Sequence, residues 1–147
     1  MCCIVLMCLF CCHQNSETSP NVWMDIFRPF GIDKEPVIHH KTGRNLNSVV
    51  QLSIPRVIDA GRTPASMIVE NRCADCHTVK FQPHVRGHFP LSVTPPSGAA
   101  LTKTFQWFGS GSLAYREVIV SQDLLVALTD AKIKGTHFVP ATVESQS

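Results

Sequence analysis

The sequence predicts an α+β domain: a small mixed sheet with a zinc-ribbon-like β knuckle and a C-terminal strand–helix–strand unit. Three observations predict it. Residues 117–143 pass from β-branched "EVIVS" through an apolar stripe at helical spacing to "THFVPATV". Cys73-x-x-Cys76 sits between two strand-like segments, "SMIVENR" and "TVKF". The 147 residues suffice for one core, and ten prolines favour turns over long helices.

From the N-terminus, residues 1–20 read as an apolar, Cys-rich start and a linker, disordered or artefactual. A single α+β domain is expected over residues 21–147. The run "MCCIVLMCLFCC" is too short to span a bilayer, so no membrane span is predicted. It has no Lys or Arg before it and no clean small-residue cleavage site after it, as a secretion signal would. Its apolar character still leaves export open. Residues 13–21 are polar and read as the linker.

"NVWMDIFRPFGI" places Trp23, Ile26, Phe27 and Phe30 where a short helix ending near Pro29 would present them together. An irregular segment packing its aromatics on the core is the slightly preferred reading. "EPVIHHKTGRNLNS" reads as a turn-rich loop, and "VVQLSIPRVID" as a strand interrupted at Pro55. Residues 66–72 and "TVKF" are strand candidates flanking the cysteines, and residues 82–100, with four prolines, read as loop. Then "EVIVS" is a strand. Ser121 is a natural N-cap, with Asp123 in the first turn where the helix dipole favours negative charge. Leu124, Leu125, Leu128 and Ala131 form the apolar stripe of a helix over "QDLLVALTDAKIKG", with Gly135 as its stop. Phe105, Trp107, Phe108, Leu124, Leu125 and Leu128 are expected to build the core. No repeat is visible.

A net charge of +2, with 16% charged residues, gives no electrostatic pull toward nucleic acid. Five of the seven cysteines lie in the first twelve residues, and only Cys73 and Cys76 lie in the body. That is not the even spacing of a secreted disulfide framework, and it points to a reducing compartment.

The chemistry concentrates in "NRCADCHTVKFQPHVRGHFP". Thiolates two residues apart on a tight turn can hold zinc, which needs four ligands in a closed site. His84, His88 and His77 are the candidate further ligands; His39, His40, Cys8 and Cys11 are others. Pro83, Gly87 and Pro90 argue against a helix presenting His84 and His88 together. The same string, Cys-x-x-Cys-His, is a covalent haem motif, which makes an exported haem-c electron carrier an alternative. Its strand-like flanks argue against haem. A zinc-binding accessory module, two reduced thiols without metal, or a redox dithiol complete the set. The redox motif usually places its first cysteine at a helix N-terminus, and no helix is expected here.

No catalytic constellation stands out. Asp25, Asp33, Asp59 and Glu70 show no paired spacing for acid–base work. "FGSGS" lacks the Lys-Ser/Thr of a phosphate loop, and Gly109 and Gly111 fit a turn instead. The chain therefore reads as no enzyme.

The stretch "FQWFGSGSLAYREVIVSQDLLVALTDAKIKGTHFVPA" orders an aromatic–Gly–Ser–Gly turn, Ala-x-Arg before a strand, "VSQ" opening a helix, then "KIKG" and "FVP". This resembles the C-terminal region of bacterial double-CXXCG-motif proteins, a group linked to toxin immunity. The resemblance spans about residues 105–140, and Cys73-x-x-Cys76 matches one knuckle. His77 stands where that motif has glycine, and the body lacks a second Cys-x-x-Cys unless Cys8 and Cys11 serve. What the resemblance implies is a small cytoplasmic, non-catalytic protein that binds a cognate protein toxin and neutralises it.

Overall fold

The computed structural model describes residues 3–7, 17–58, 63–134 and 136–144. In chain order the strands are β1 (Cys3–Met7), β2 (Glu17–Thr18), β3 (Lys34–Ile38), β4 (Asn45–Leu52), β5 (Val69–Arg72), β6 (Val79–Phe81), β7 (Phe89–Leu91), β8 (Leu101–Lys103), β9 (Trp107–Phe108), β10 (Val118–Val120) and β11 (His137–Val143). A helical segment precedes β3: α1 (Pro20–Val22), a π turn (Trp23–Phe27) and a 3-10 turn (Arg28–Phe30). Helix α2 (Gln122–Asp130) lies between β10 and β11. The class is α+β, with one five-stranded mixed sheet and two three-stranded sheets.

The five-stranded sheet has the order β7-β11-β1-β10-β8. Residues 3–7, set apart with the linker by the sequence reading, form its middle strand. β1 pairs antiparallel with β10 (Val5↔Ile119) and with β11 (Val5↔Val139). The C-terminal strand–helix–strand unit thus straddles β1. Cys8, Cys11 and Gly135 lie outside the described residues.

Alternation along β10 divides the core in two, because successive strand residues face opposite sides of a sheet. Val120 joins Leu124 and Leu128 of α2 with Ile26, Phe27, Ile32, Leu52 and Leu101 on one face. Ile119 joins Phe81, Phe89, Leu91, Phe108 and Val139 on the other. The second face is where the small sheet β5-β6-β9 packs.

Helix α2 starts as its sequence predicts: Ser121 Oγ accepts from the Leu124 N–H at 3.3 Å. It ends before Gly135. The Ile133 N–H reaches the Leu128 carbonyl and the Lys132 N–H reaches Thr129, with Lys132 left-handed at φ 53°. These are the two bonds of a Schellman ending, and Ile133 packs on the same core as Leu128.

Several expectations are corrected. "NVWMDIFRPFGI" is helical: Ser19 caps it, Pro20 occupies its first turn, and Gly31 at φ 70° ends it. The expected loop at "EPVIHHKTGRNLNS" holds β3 and the start of β4, joined by a turn in which the His39 N–H donates to the Arg44 carbonyl at 2.9 Å. β4 stops at Leu52, before Pro55. β7 lies inside the expected loop 82–100, and its edge position tolerates Pro90. Phe105 is 48% exposed rather than core, and the Arg116 guanidinium lies over the rings of Phe105 and Trp107.

Candidate functional site: the Cys73–Cys76 hairpin

β5 and β6 pair antiparallel, with Arg72 opposite Val79 and a bulge between Val69 and Asn71. The tip is closed by two backbone bonds. The Cys73 N–H donates to the Thr78 carbonyl at 3.0 Å, and the His77 N–H donates to the Cys73 carbonyl at 3.0 Å. His77 is left-handed at φ 57°. This is the conformation glycine adopts without strain, at the position where the CXXCG motif has glycine. The string therefore lies on a β-hairpin turn rather than a helical one.

Both cysteines are free; Cys73 is half-buried and Cys76 exposed. Cys76 Sγ donates to Thr78 Oγ1 at 3.1 Å. The Thr78 hydroxyl, then its backbone, then the Cys73 side chain stabilise the ionised sulfur and bring the Cys76 thiol down to about 7. Thr78 was not singled out in the sequence, where a threonine opening a strand looks like ordinary β propensity. The one available signal is a hydroxyl residue two positions after the second cysteine.

The base of the hairpin is tied to the aromatic–glycine turn. β6 pairs parallel with β9 (Lys80↔Trp107, Phe81↔Phe108), and the Gly109 N–H donates to the Phe81 carbonyl at 2.9 Å. Lys80 Nζ donates to the Gly111 carbonyl at 2.9 Å. Gly109 and Gly111 have φ of 79° and 58°, as a turn-forming role requires. The two stretches singled out in the sequence are thus one structural unit.

The histidines go elsewhere. His77 is exposed beside Cys76, and His88 is exposed. His84 stands edge-on to Phe89, ring centroids 5.5 Å apart, with Nε2 buried and unpartnered. It lines a cavity of about 190 Å³ with Met67, Ile68, Val85, Phe89 and Phe108. Among the described residues, no group of three or more His, Cys, Asp or Glu side chains is placed to hold a metal ion. The cysteines thus present a two-sulfur group without His84 or His88 completing it. His39 and His40 stack on each other at the β3–β4 turn, 5.4 Å between centroids.

No family model, curated protein or solved structure matches the chain. Among the described residues, no helix is long and apolar enough to cross a membrane.

Proposed function

We propose that the chain is a non-catalytic protein of the toxin-immunity type, which binds a cognate bacterial protein toxin in the cytoplasm and covers its working surface. The observation that carries this reading is an apolar rim beside the hairpin. Ile68 is 63% exposed and Val85 81% exposed, and both line the cavity that holds His84. Apolar side chains held out around a concavity are what a protein partner covers. The resemblance over residues 105–140 supports the same reading, because that stretch buttresses the rim through Phe108 and the β6–β9 pairing.

The test is to find whether a toxin gene neighbours the gene of this chain and to co-express the two. Protection and a stable complex are expected. Ile68→Asp and Val85→Asp should each weaken the complex by roughly tenfold or more, since each places an unpaired charge in the contact. Neither protection nor a complex with the unaltered chain would end the proposal.

A zinc-binding accessory role is the second reading, favoured by two free cysteines on the turn of one hairpin. Cys73 and Cys76 would supply two of the four ligands of a closed site. Metal analysis of the purified chain, with and without Cys73→Ser, decides it: bound zinc lost in the variant is expected, and no zinc in either removes it.

A further inference from the structure

The hairpin tip holds two sulfurs in an arrangement that toxin binding does not use. Cys73 and Cys76 stand three positions apart on one tight turn, which the Cys73 N–H to Thr78 carbonyl and His77 N–H to Cys73 carbonyl bonds close, so both sulfurs are carried at the same hairpin tip. The turn carrying them is fixed at both ends, by the Cys73–Thr78 and His77–Cys73 backbone bonds above and by β6 against β9 below. Their exposure is unequal: Cys76 is exposed and Cys73 is half-buried. Thr78 Oγ1 contacts the outer sulfur at 3.1 Å.

We infer that Cys73 and Cys76 form a thiol–disulfide exchange site whose oxidant is a small, solvent-borne disulfide. Cys76 is the attacking sulfur because it is the accessible one. Its thiolate displaces one sulfur of the small disulfide, forming a mixed disulfide and releasing one small thiolate. Cys73 then loses its proton to solvent and attacks the Cys76 sulfur, releasing the second small thiolate. The Cys73–Cys76 disulfide remains. Two protein thiols have been oxidised, one small disulfide has been reduced to two thiols, and the two protons lost by the protein end on those products.

The geometry suits these roles. Cys76 is the exposed sulfur, and Thr78 Oγ1 lies 3.1 Å from it. When Cys76 ionises, the freely rotating Thr78 hydroxyl can turn to donate to it. The arrangement needs no helix N-terminus, the feature whose absence counted against a redox role in the sequence.

The experiment incubates the full chain with oxidised glutathione, quenches in acid, alkylates the remaining thiols and maps the peptide carrying residues 73 and 76. The unaltered chain should yield an internal Cys73–Cys76 disulfide. Cys73→Ser should accumulate a glutathione mixed disulfide on Cys76, and Cys76→Ser should react at Cys73 roughly tenfold slower. Circular dichroism of each variant checks that the fold is kept. Stable glutathionylation of Cys76 in the unaltered chain without the internal disulfide would overturn the inference. So would equal rates for the two serine variants. Neither result depends on whether a toxin is bound, so the immunity reading stands or falls separately.

Discussion

Tyr115 stands two residues before Glu117, and its phenol acts on the carboxyl of that glutamate, which is only 3% exposed. The Glu117 oxygen Oε1 is buried without a hydrogen-bond partner. Burial therefore pushes Glu117 up from an ordinary 4.5 to about 7, with the Tyr115 phenol opposing the shift. Burial and the neighbouring carboxylate push the Tyr115 phenol up to about 12.

The first prediction concerns stability against pH. A raised carboxyl keeps its proton in the folded chain at pH values where the unfolded chain releases it. Its contribution is present in full below about 4.5 and is lost as pH rises through about 7. The loss should be roughly 2–3 kcal/mol. Glu117→Gln keeps the shape and cannot ionise, so urea midpoints at pH 5 and pH 8 should lie closer together in the variant. An unchanged difference would show that Glu117 does not titrate in this range.

The second prediction concerns the Cys76–Thr78 contact. Thr78→Val removes the hydroxyl that contributes most to stabilising the thiolate and keeps the β-branched shape. The pH midpoint for alkylation of Cys76 should move upward, and the rate at pH 7 should fall roughly threefold or more. Rates read from the mapped peptide distinguish Cys76 from Cys73. An unshifted midpoint would assign the activation to the backbone and to Cys73.

The third prediction tests the packing of α2. Leu124 is fully buried between Val120 of the sheet and the helical segment around Phe27. Leu124→Ala should cost about 2–5 kcal/mol, because a cavity forms where the sheet cannot collapse. Leu125 is only partly buried on the same helix, so Leu125→Ala should cost clearly less. Denaturant unfolding of both variants gives the comparison.

The parts of the fold legible in the sequence are those whose signals are local. Ser121 and the leucine stripe mark α2, and the strand-like flanks of the cysteines mark the β5–β6 hairpin. β1 was not legible, because its partners lie at the far end of the chain and its apolar run looks the same as a leader or anchor. β7 was masked by Pro90, a strand breaker everywhere except at an edge. The first half of β4 is exposed, so Asn45, Asn47 and Ser48 carry no apolar alternation to read. At the site, the cysteine pair was visible but its chemistry was not. The hydroxyl that tunes Cys76 and the left-handed His77 emerge only from the shape of the turn.

The fourth prediction follows from that same backbone geometry at the end of α2. Lys132 occupies the left-handed position of the Schellman ending at φ 53°, where a Cβ meets the backbone and glycine does not. Its side chain is exposed, so little packing is lost on its removal. Lys132→Gly should therefore stabilise the chain by about 1 kcal/mol, even though glycine gives the unfolded chain more freedom. Lys132→Ala separates the two causes: it removes the same side chain but keeps the Cβ, and should give no such gain. A rise in urea midpoint for the glycine variant alone is the expected result. Equal midpoints for the two variants would mean that the helix end carries no strain.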